Sequence, residues 1–449
     1  MARLSSVLLA AYGAGLGLMQ PLLRRRLVRR GRQEPGYLDA VDERFGRYTQ
    51  PPGEGYVWLH AVSLGETRAA AILLAELRRQ WPGMRLLLTH GTATGRAEGA
   101  KLLREGDVQV WQPWDTPGAV RRFLAHFRPR IGLLMETEVW PQLVAGCARA
   151  GVPLALANAR LSEKSLRQAE RLAGLSRPAY AALAAVWAQT EDDARRLRAL
   201  GAPVCGVFGN LKFDAEPDAA QLARGRAWRV AAGRPVAVFA SSREGEEALL
   251  LDVLAAQTAA PEPTAPGATD AAAAVQWLIV PRHPQRFDAV ADLVAARGFA
   301  VARRSDWGDA PPAAAPRTVW LGDSLGEMAL YYGLADVALL GGSFEPLGGQ
   351  NLIEAAACCC PVVLGPSTFN FTEAAELALA AGAAQRVADL PEAVAVAMAL
   401  ANDPARLAAT QVAAQAFAGA HRGTARRTAE AVRDMQGGFT AKKEADLLQ

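Results

Sequence analysis

From Gly55 onward, short apolar runs alternate with stretches in which apolar residues recur every three or four positions. The runs Tyr56–Val62, Arg85–Thr89, Val108–Trp111, Ile131–Met135, Pro153–Ala157 and Val186–Gln189 predict strands. Between them, Thr67–Gln80, Arg96–Glu105, Gly118–Phe127 and Pro141–Ala150 predict helices. Apolar strands without strict alternation, separated by helices, predict a parallel sheet covered on both faces.

The rhythm lapses over Asn210–Gly233, which is polar and reads as a passage between domains. A second series then starts, with strands expected at Val236–Ala240, Trp277–Val280, Thr318–Leu321, Val337–Leu340 and Val362–Leu364. Two Ala/Pro-rich stretches, Ala259–Ala274 and Asp309–Pro316, interrupt it and read as surface insertions. No period of 20–50 residues repeats, so a solenoid is not expected. The expected organisation is a segment 1–35, a first domain 36–214, a linker 215–233, a second domain 234–425 and a tail 426–449. Two doubly wound halves imply a ligand cleft between them, at the carboxyl ends of the strands.

The first 35 residues follow a different rule. Leu4–Leu23 carries no charge, and about 20 residues at about 1.5 Å each can just cross a hydrocarbon core. Gln20 and Pro21 weaken it as a spanning helix. No small-residue cleavage site follows, and the Arg cluster is on the wrong side for a signal peptide. Residues 1–50 hold nine Arg against four acids, a larger surplus than the +4 of the whole 449-residue chain. Arg24–Arg32 beside an apolar segment predicts a membrane anchor with the bulk of the chain cytoplasmic. A net charge of +4 gives no reason to expect nucleic acid. With 51% hydrophobic residues the chain is neither disordered nor a disulfide-stapled miniprotein. Five Cys without CxxC spacing suggest neither a disulfide framework nor a zinc site.

Candidate chemistry lies where strands give way to helices. In His60-Ala-Val-Ser-Leu-Gly-Glu66, Ser63 and Glu66 have capping-box spacing, yet a carboxylate at that edge can also serve as a general base. Met135-Glu-Thr-Glu-Val-Trp-Pro141 sets Glu136 and Glu138 on one side of an extended backbone, or leaves them in a solvated loop. Thr89-His-Gly-Thr-Ala-Thr-Gly95 can hold an anion at a helix start, or merely cap it. In the second half, Phe239–Glu247, Pro281-Arg-His-Pro284, Gly322–Glu327 and the Gly-rich Gly341–Asn351 all end strands. An Arg, helix N-termini and a downstream Glu suit a nucleotide. The chain has no D-x-D and no His/Asp cluster with metal spacing, so no metal is expected.

Together these blocks resemble the 3-deoxy-D-manno-octulosonic acid (Kdo) transferases of lipopolysaccharide synthesis. HAVSLGE, TATG, METEVWP, NARLS (Asn158–Ser162), GNLKFD (Gly209–Asp214), PRHP, GDSLGE, NLIEAA and GPSTFNF (Gly365–Phe371) occur in order. The resemblance implies an α/β GT-B glycosyltransferase: two Rossmann-like domains with a cleft between them, plus the N-terminal membrane anchor. It implies transfer of Kdo from CMP-Kdo to the lipid A precursor lipid IVA, releasing CMP, at the cytoplasmic face of the inner membrane. By the resemblance, Glu66 is the proton acceptor, and Glu136 and Lys212 stabilise the transition state. Pro281, Arg282, Leu325, Gly326, Glu327, Asn351, Leu352, Ile353 and Glu354 match CMP contacts. The family often has His at positions 243 and 350 and Pro-Leu at 352–353, where this chain has Arg243, Gln350, Leu352 and Ile353. The implied partners are CMP-Kdo, the lipid A precursor and inner-membrane lipids, with no cofactor and no nucleic acid. A monophosphate leaving group and the missing D-x-D fit an inverting, metal-independent reaction. Two rivals stay open: another GT-B enzyme using a different nucleotide sugar, and a membrane-docked nucleotide-binding protein without catalysis. The number of Kdo residues added, acyl-chain preference and oligomeric state are not written in the sequence.

Overall fold

A computed structural model describes residues 2–259 and 275–447. Most of the insertion expected at Ala259–Ala274 lies outside the described residues. The chain forms two compact units, Met1–Asp214 with Arg422–Gln449, and Ala215–His421.

The first unit holds a seven-stranded parallel sheet of β1 (Val57–His60), β2 (Leu86–His90), β3 (Val108–Trp111), β4 (Ile131–Met135), β5 (Leu154–Ala159), β6 (Ala185–Ala188) and β7 (Val204–Val207). Their order is β3-β2-β1-β4-β5-β6-β7. β1, β2, β4, β5 and β6 are buried along their whole length, as strands covered on both faces must be. Alternate side chains feed two cores. Trp58, Leu87, Leu134 and Leu156 face one way, with Phe123, Phe127, Leu143 and Val144 packed on them. Val57, Leu59, Leu88 and Leu133 face the other way, against Leu73, Leu74 and Leu77. The helices concerned are α4 (Pro117–Phe127) and α5 (Pro141–Ala150) on the first face and α2 (Leu64–Gln80) on the second. The loop after β2 leads into the short α3 (Ala93–Ala100). Because β1 pairs with β2 on one side and β4 on the other, the strand order reverses between β1 and β4. Loops leaving the carboxyl ends of such a pair diverge and leave room for a ligand.

The second unit repeats the plan. β8 (Val236–Ser242), β9 (Gln276–Pro281), β10 (Ala300–Arg303), β11 (Thr318–Leu321), β12 (Val337–Leu340), β13 (Val362–Leu364) and β14 (Ala384–Arg386) form a parallel sheet. The order is β10-β11-β9-β8-β12-β13-β14, with the reversal between β8 and β12.

Two expected boundaries change. Residues 215–233 are no bare linker: Ala219–Ala231 is a helix packed inside the second unit against Met328–Leu334. Gly225 and Gly333 permit the contact, since a Cβ at Gly225 would overlap the Leu330 carbonyl. Nor is 426–449 a detached tail, and the second unit stops at His421. The helix Thr424–Leu447 returns to the first unit, where Ala425, Ala429 and Val432 join the α2 face of the core. Asp214 fixes its start by accepting from the N–H groups of Gly423 and Ala425, both at 2.5 Å.

The apolar N-terminal segment is a helix, α1 (Ala2–Gly31), with Pro21 inside it. Ser6–Gly31 is long and apolar enough to cross a membrane. One narrow stripe of it, through Gly13, Leu27 and Gly31, is buried on the first unit. Val7, Leu18, Met19, Leu22 and Val28 on the remaining face are exposed.

Candidate functional site

In the first unit the reversal between β1 and β4 gathers carboxylates. β1 ends at His60 and α2 starts at Leu64, with Ser63 as its N-cap accepting from the Glu66 N–H. The capping-box spacing is thus used, in a modified form. The Glu66 carboxylate reaches past Ser63 to accept from the Val62 N–H at 2.7 Å and from the Ser63 hydroxyl at 3.3 Å. Burial pushes its pKa up to about 7, and the negative charges of Glu136 and Glu138 push the same way. The two hydrogen bonds oppose this only partly.

Glu136 and Glu138 arrive on the loop after β4. Glu136 has a left-handed backbone (φ 59°), and its N–H donates to Ala157 O at 3.0 Å. This turn breaks the extended geometry that period-2 spacing had suggested. The Glu138 carboxyl is raised by burial and by Glu136, while the Trp140 indole donates to it at 2.8 Å. It is no solvated loop acid.

The histidines at the same edge are structural. His60 and His90 are buried and held neutral, with pKa values pushed down to about 3 and about 4 chiefly by burial. His60 Nδ1 meets Thr89 Oγ1 at 2.9 Å, and His90 Nδ1 meets Ala61 O at 2.9 Å. The Gly/Thr loop serves as a cap: Thr92 accepts from Gly95 N–H at 3.1 Å and donates to Val62 O at 2.9 Å. It thereby braces the backbone beside Glu66.

Lys212 lies in a short 3-10 turn, Leu211–Asp214, packed against α2. Asn158, in left-handed backbone at the end of β5, accepts from Leu211 N–H at 3.0 Å and sets this turn. Sequence reasoning gave Asn158 no role. Its signals were its place at the head of the NARLS block and an Asn, which tolerates positive φ, ending an apolar strand.

In the second unit the reversal between β8 and β12 is wired differently. Glu246, fully buried, accepts from the N–H groups of Arg243 (2.9 Å), Gly342 (2.8 Å) and Phe344 (3.2 Å). One carboxylate therefore joins the loop after β8 to the Gly-rich loop after β12. Glu247, also fully buried, takes a two-pronged ion pair from Arg286 (2.7 and 3.0 Å) and a bond from Ser242 (2.8 Å). That pins the loop after β9, where Arg282 N–H also donates to Ser242 O. Neither Glu was singled out from the sequence.

These braces bring the expected nucleotide contacts to one sheet edge. Pro281 is buried at the end of β9 and Arg282 is exposed beside it. His283 is pushed down in pKa by burial and then by the positive charges of Arg243, Arg282 and Arg286. Leu325 is exposed, and Gly326 takes φ 79°, which only glycine adopts without strain. Glu327 accepts from Arg304 at 2.9 Å and from Ser324 at 2.5 Å. Asn351 caps the helix Leu352–Ala357 by accepting from Ile353 N–H at 3.2 Å. Leu352 and Ile353 are buried, so only their backbone reaches the edge, whereas Glu354 is exposed. Among the described residues, no group of three or more His, Cys, Asp or Glu is placed to hold a metal ion. The five cysteines form no disulfide.

This geometry can be set beside known proteins. The family model of 3-deoxy-D-manno-octulosonic-acid transferase (kdotransferase) matches residues 39–215. A 3-deoxy-D-manno-octulosonic acid transferase of Bordetella pertussis is 47% identical over 440 residues, 95% of this chain and 99% of that protein. The chain belongs to the Kdo transferase family. A second member, from Haemophilus influenzae, is 31% identical over 81% of this chain and 83% of its own length. Among solved structures, a glycosyltransferase from Rickettsia africae superposes with a TM-score of 0.54 at 14% identity, over 85% of this chain and 98% of that one. At that identity the likeness speaks for the two-domain GT-B fold alone. The two reversal points differ in chemistry, the first holding a glutamate raised in pKa beside two further acids and the second a glycine-rich edge beside arginines.

Proposed function

We propose that this chain transfers Kdo from CMP-Kdo to the lipid A precursor lipid IVA, with inversion and without a metal. The observation that carries this reading is Glu66, a carboxylate held by two hydrogen bonds and raised to about 7 beside two further acids. A group titrating there is suited to take the proton of a hydroxyl near neutral pH. In the proposed step the acceptor's hydroxyl oxygen forms a bond to the anomeric carbon of Kdo as its proton passes to Glu66. The bond from that carbon to the CMP phosphate oxygen breaks, and its electron pair leaves with CMP. Attack opposite the leaving group inverts the centre and needs no covalent enzyme intermediate.

Glu136 supports the positive charge that builds on the sugar ring. Lys212 stabilises the transition state, and the exposed Arg282 supplies a cation to the CMP phosphate. A single phosphate is within the means of such cations, which is the argument for a metal-independent reaction. CMP is held by Arg282, the backbone of Pro281, Leu325, Gly326, Leu352 and Ile353, and the side chains of Glu327, Asn351 and Glu354. The exposed apolar face of α1, with Arg24, Arg25, Arg26, Arg29, Arg30 and Arg32 after it, suits the cytoplasmic leaflet of the inner membrane. Trp140 and Leu172 are further exposed apolar side chains of the same unit.

The test is direct. The full-length protein is incubated with CMP-Kdo and lipid IVA, with and without EDTA, and the lipid products are weighed by mass spectrometry. Addition of one or more Kdo masses in both samples is expected. No mass gain with CMP-Kdo, or a gain with another nucleotide sugar only, overturns the reading.

A further inference from the structure

The loop carrying Glu136 and Glu138 is short, and both of its ends are fixed. At the front, Met135 belongs to β4 in the middle of the sheet. At the back, the loop runs into α5 at Pro141, and α5 has an unusual start. Its N-cap residue, Trp140, offers no side-chain acceptor, and Pro141 has no N–H to satisfy. The first free donors are the N–H groups of Gln142 and Leu143. Both donate to Asp115, at 3.0 and 2.7 Å. Asp115 comes from the turn before α4, so the cap of α5 is supplied by a different element.

Asp115 has one more partner, the Tyr12 hydroxyl on α1. The carboxylate is buried, and burial pushes its pKa up to about 6 against these three hydrogen bonds. Gln142 adds a second link, its Nε2 donating to Leu9 O on α1 at 2.6 Å. Gly13 follows Tyr12 directly, one turn on from Leu9. A Cβ there would come within 2.6 Å of Gln142 Nε2 and 2.8 Å of Pro117 Cγ, so the α1 backbone is pressed directly onto the starts of α4 and α5. A membrane tether needs only an apolar outer face. It does not need a hydroxyl bonded to a buried carboxylate that caps a catalytic-loop helix.

We propose that Tyr12, Asp115 and Gln142 form a clamp through which α1 positions the Glu136–Trp140 loop, making the apolar helix part of the reaction machinery as well as its membrane contact. They are positioning residues, acting through Glu136 and Glu138. Any shift of α1 along the domain moves Asp115 or Gln142, and with them the back end of the loop. The inference rests on the role assigned above to that loop.

The test uses full-length Tyr12→Phe, Asp115→Asn and the double variant, with acceptor dispersed in detergent so that membrane binding is not required. Tyr12→Phe removes one hydroxyl and leaves the ring to pack. Turnover should fall about 10-fold or more in each single variant, the scale of a small misplacement at the reacting centre. The double variant should be little worse than the weaker single, because the pair acts as a unit. KM for CMP-Kdo and binding to anionic vesicles should stay at wild-type values. Amide hydrogen exchange at residues 136–143, measured without substrate, should speed up in every variant. Unchanged turnover with unchanged exchange, or a loss confined to vesicle binding, overturns the clamp. Faster exchange in a protein whose wild type transfers no Kdo would leave the clamp standing and sink the transfer reading instead.

Discussion

Each unit sets glutamates at its strand-order reversal, half-buried Glu66 in the first and fully buried Glu246 and Glu247 in the second, and surrounds them differently. At the β1/β4 reversal Glu66 has two hydrogen bonds and two like-charged neighbours, which leaves its carboxyl raised to about 7. At the β8/β12 reversal Glu246 meets three backbone N–H groups, and Glu247 meets a guanidinium and a hydroxyl. Burial raises Glu246 as well, but every donor around it favours the charged form. A half-buried acid with two local donors is suited to take a proton, whereas a fully buried one met by donors from separate loops is a brace. Neither burial nor the sign of neighbouring charge separates the two, since Glu247 raises Glu246 just as Glu136 and Glu138 raise Glu66; the donors do, three backbone N–H groups from two loops against one N–H and one hydroxyl of a single turn.

The same substitution at both positions should expose that contrast. Glu66→Gln should lose turnover by about 10²-fold or more, since an amide keeps the cap and loses the base. CMP affinity, read by calorimetry, should not move. Its stability should also change with a defined sign. Because the folded carboxyl is raised above its ordinary 4.5, the stability that it contributes is complete below about pH 4.5 and is lost as pH rises through about 7. Glu66→Gln should therefore melt higher than wild type at pH 8 and with it at pH 4.

Arg282→Ala and Glu354→Ala come next. Losing a charge-assisted contact of about 1.5–3 kcal/mol should weaken CMP binding about 10- to 150-fold, with membrane partition unchanged. Glu246→Gln should show the reverse of Glu66→Gln. One of three buried donors loses its acceptor, about 1–3 kcal/mol, so thermal stability falls and CMP affinity drops with it. A Glu246→Gln protein that keeps both, yet turns over slowly, would break the comparison. The smallest effect expected is on membrane partition. Deleting residues 1–23 should release part of the protein and make the remainder salt-sensitive, as Arg24–Arg32 still meets anionic headgroups over a Debye length of about 8 Å. Identical partition of truncated and full-length protein at high salt would remove the anchor.

Much of this was legible in the chain. All the central strands follow from continuous apolar runs. The three that were missed, Val204–Val207, Ala300–Arg303 and Ala384–Arg386, are all edge strands, exposed or half-buried and so without the apolar signature. The helices Ala219–Ala231 and Thr424–Leu447 were passed over as linker and tail. Their buried positions are mostly Ala, Gly and Thr, whose small side chains give little periodic signal although they permit close packing. The sequence motifs pointed to Glu66, Arg282 and the Gly-rich loop. They missed Asp115, and the blocks that contain Asn158, Glu246 and Glu247 gave no sign of a brace, because each of the four holds a segment far away in sequence. A remote brace has no local spacing to betray it.

The central claim is that Glu66 is a proton acceptor and not only a helix cap. The most direct measurement is the pH dependence of kcat/KM for the acceptor in wild type and Glu66→Gln, over about pH 5 to 9. The account predicts that wild-type activity rises with pH through a limb centred near 7, where Glu66 ionises. It predicts that Glu66→Gln has lost both the limb and most of its turnover. Near-normal turnover in Glu66→Gln with the same limb would contradict it, leaving Glu66 as a cap and passing the proton to Glu136 or Glu138.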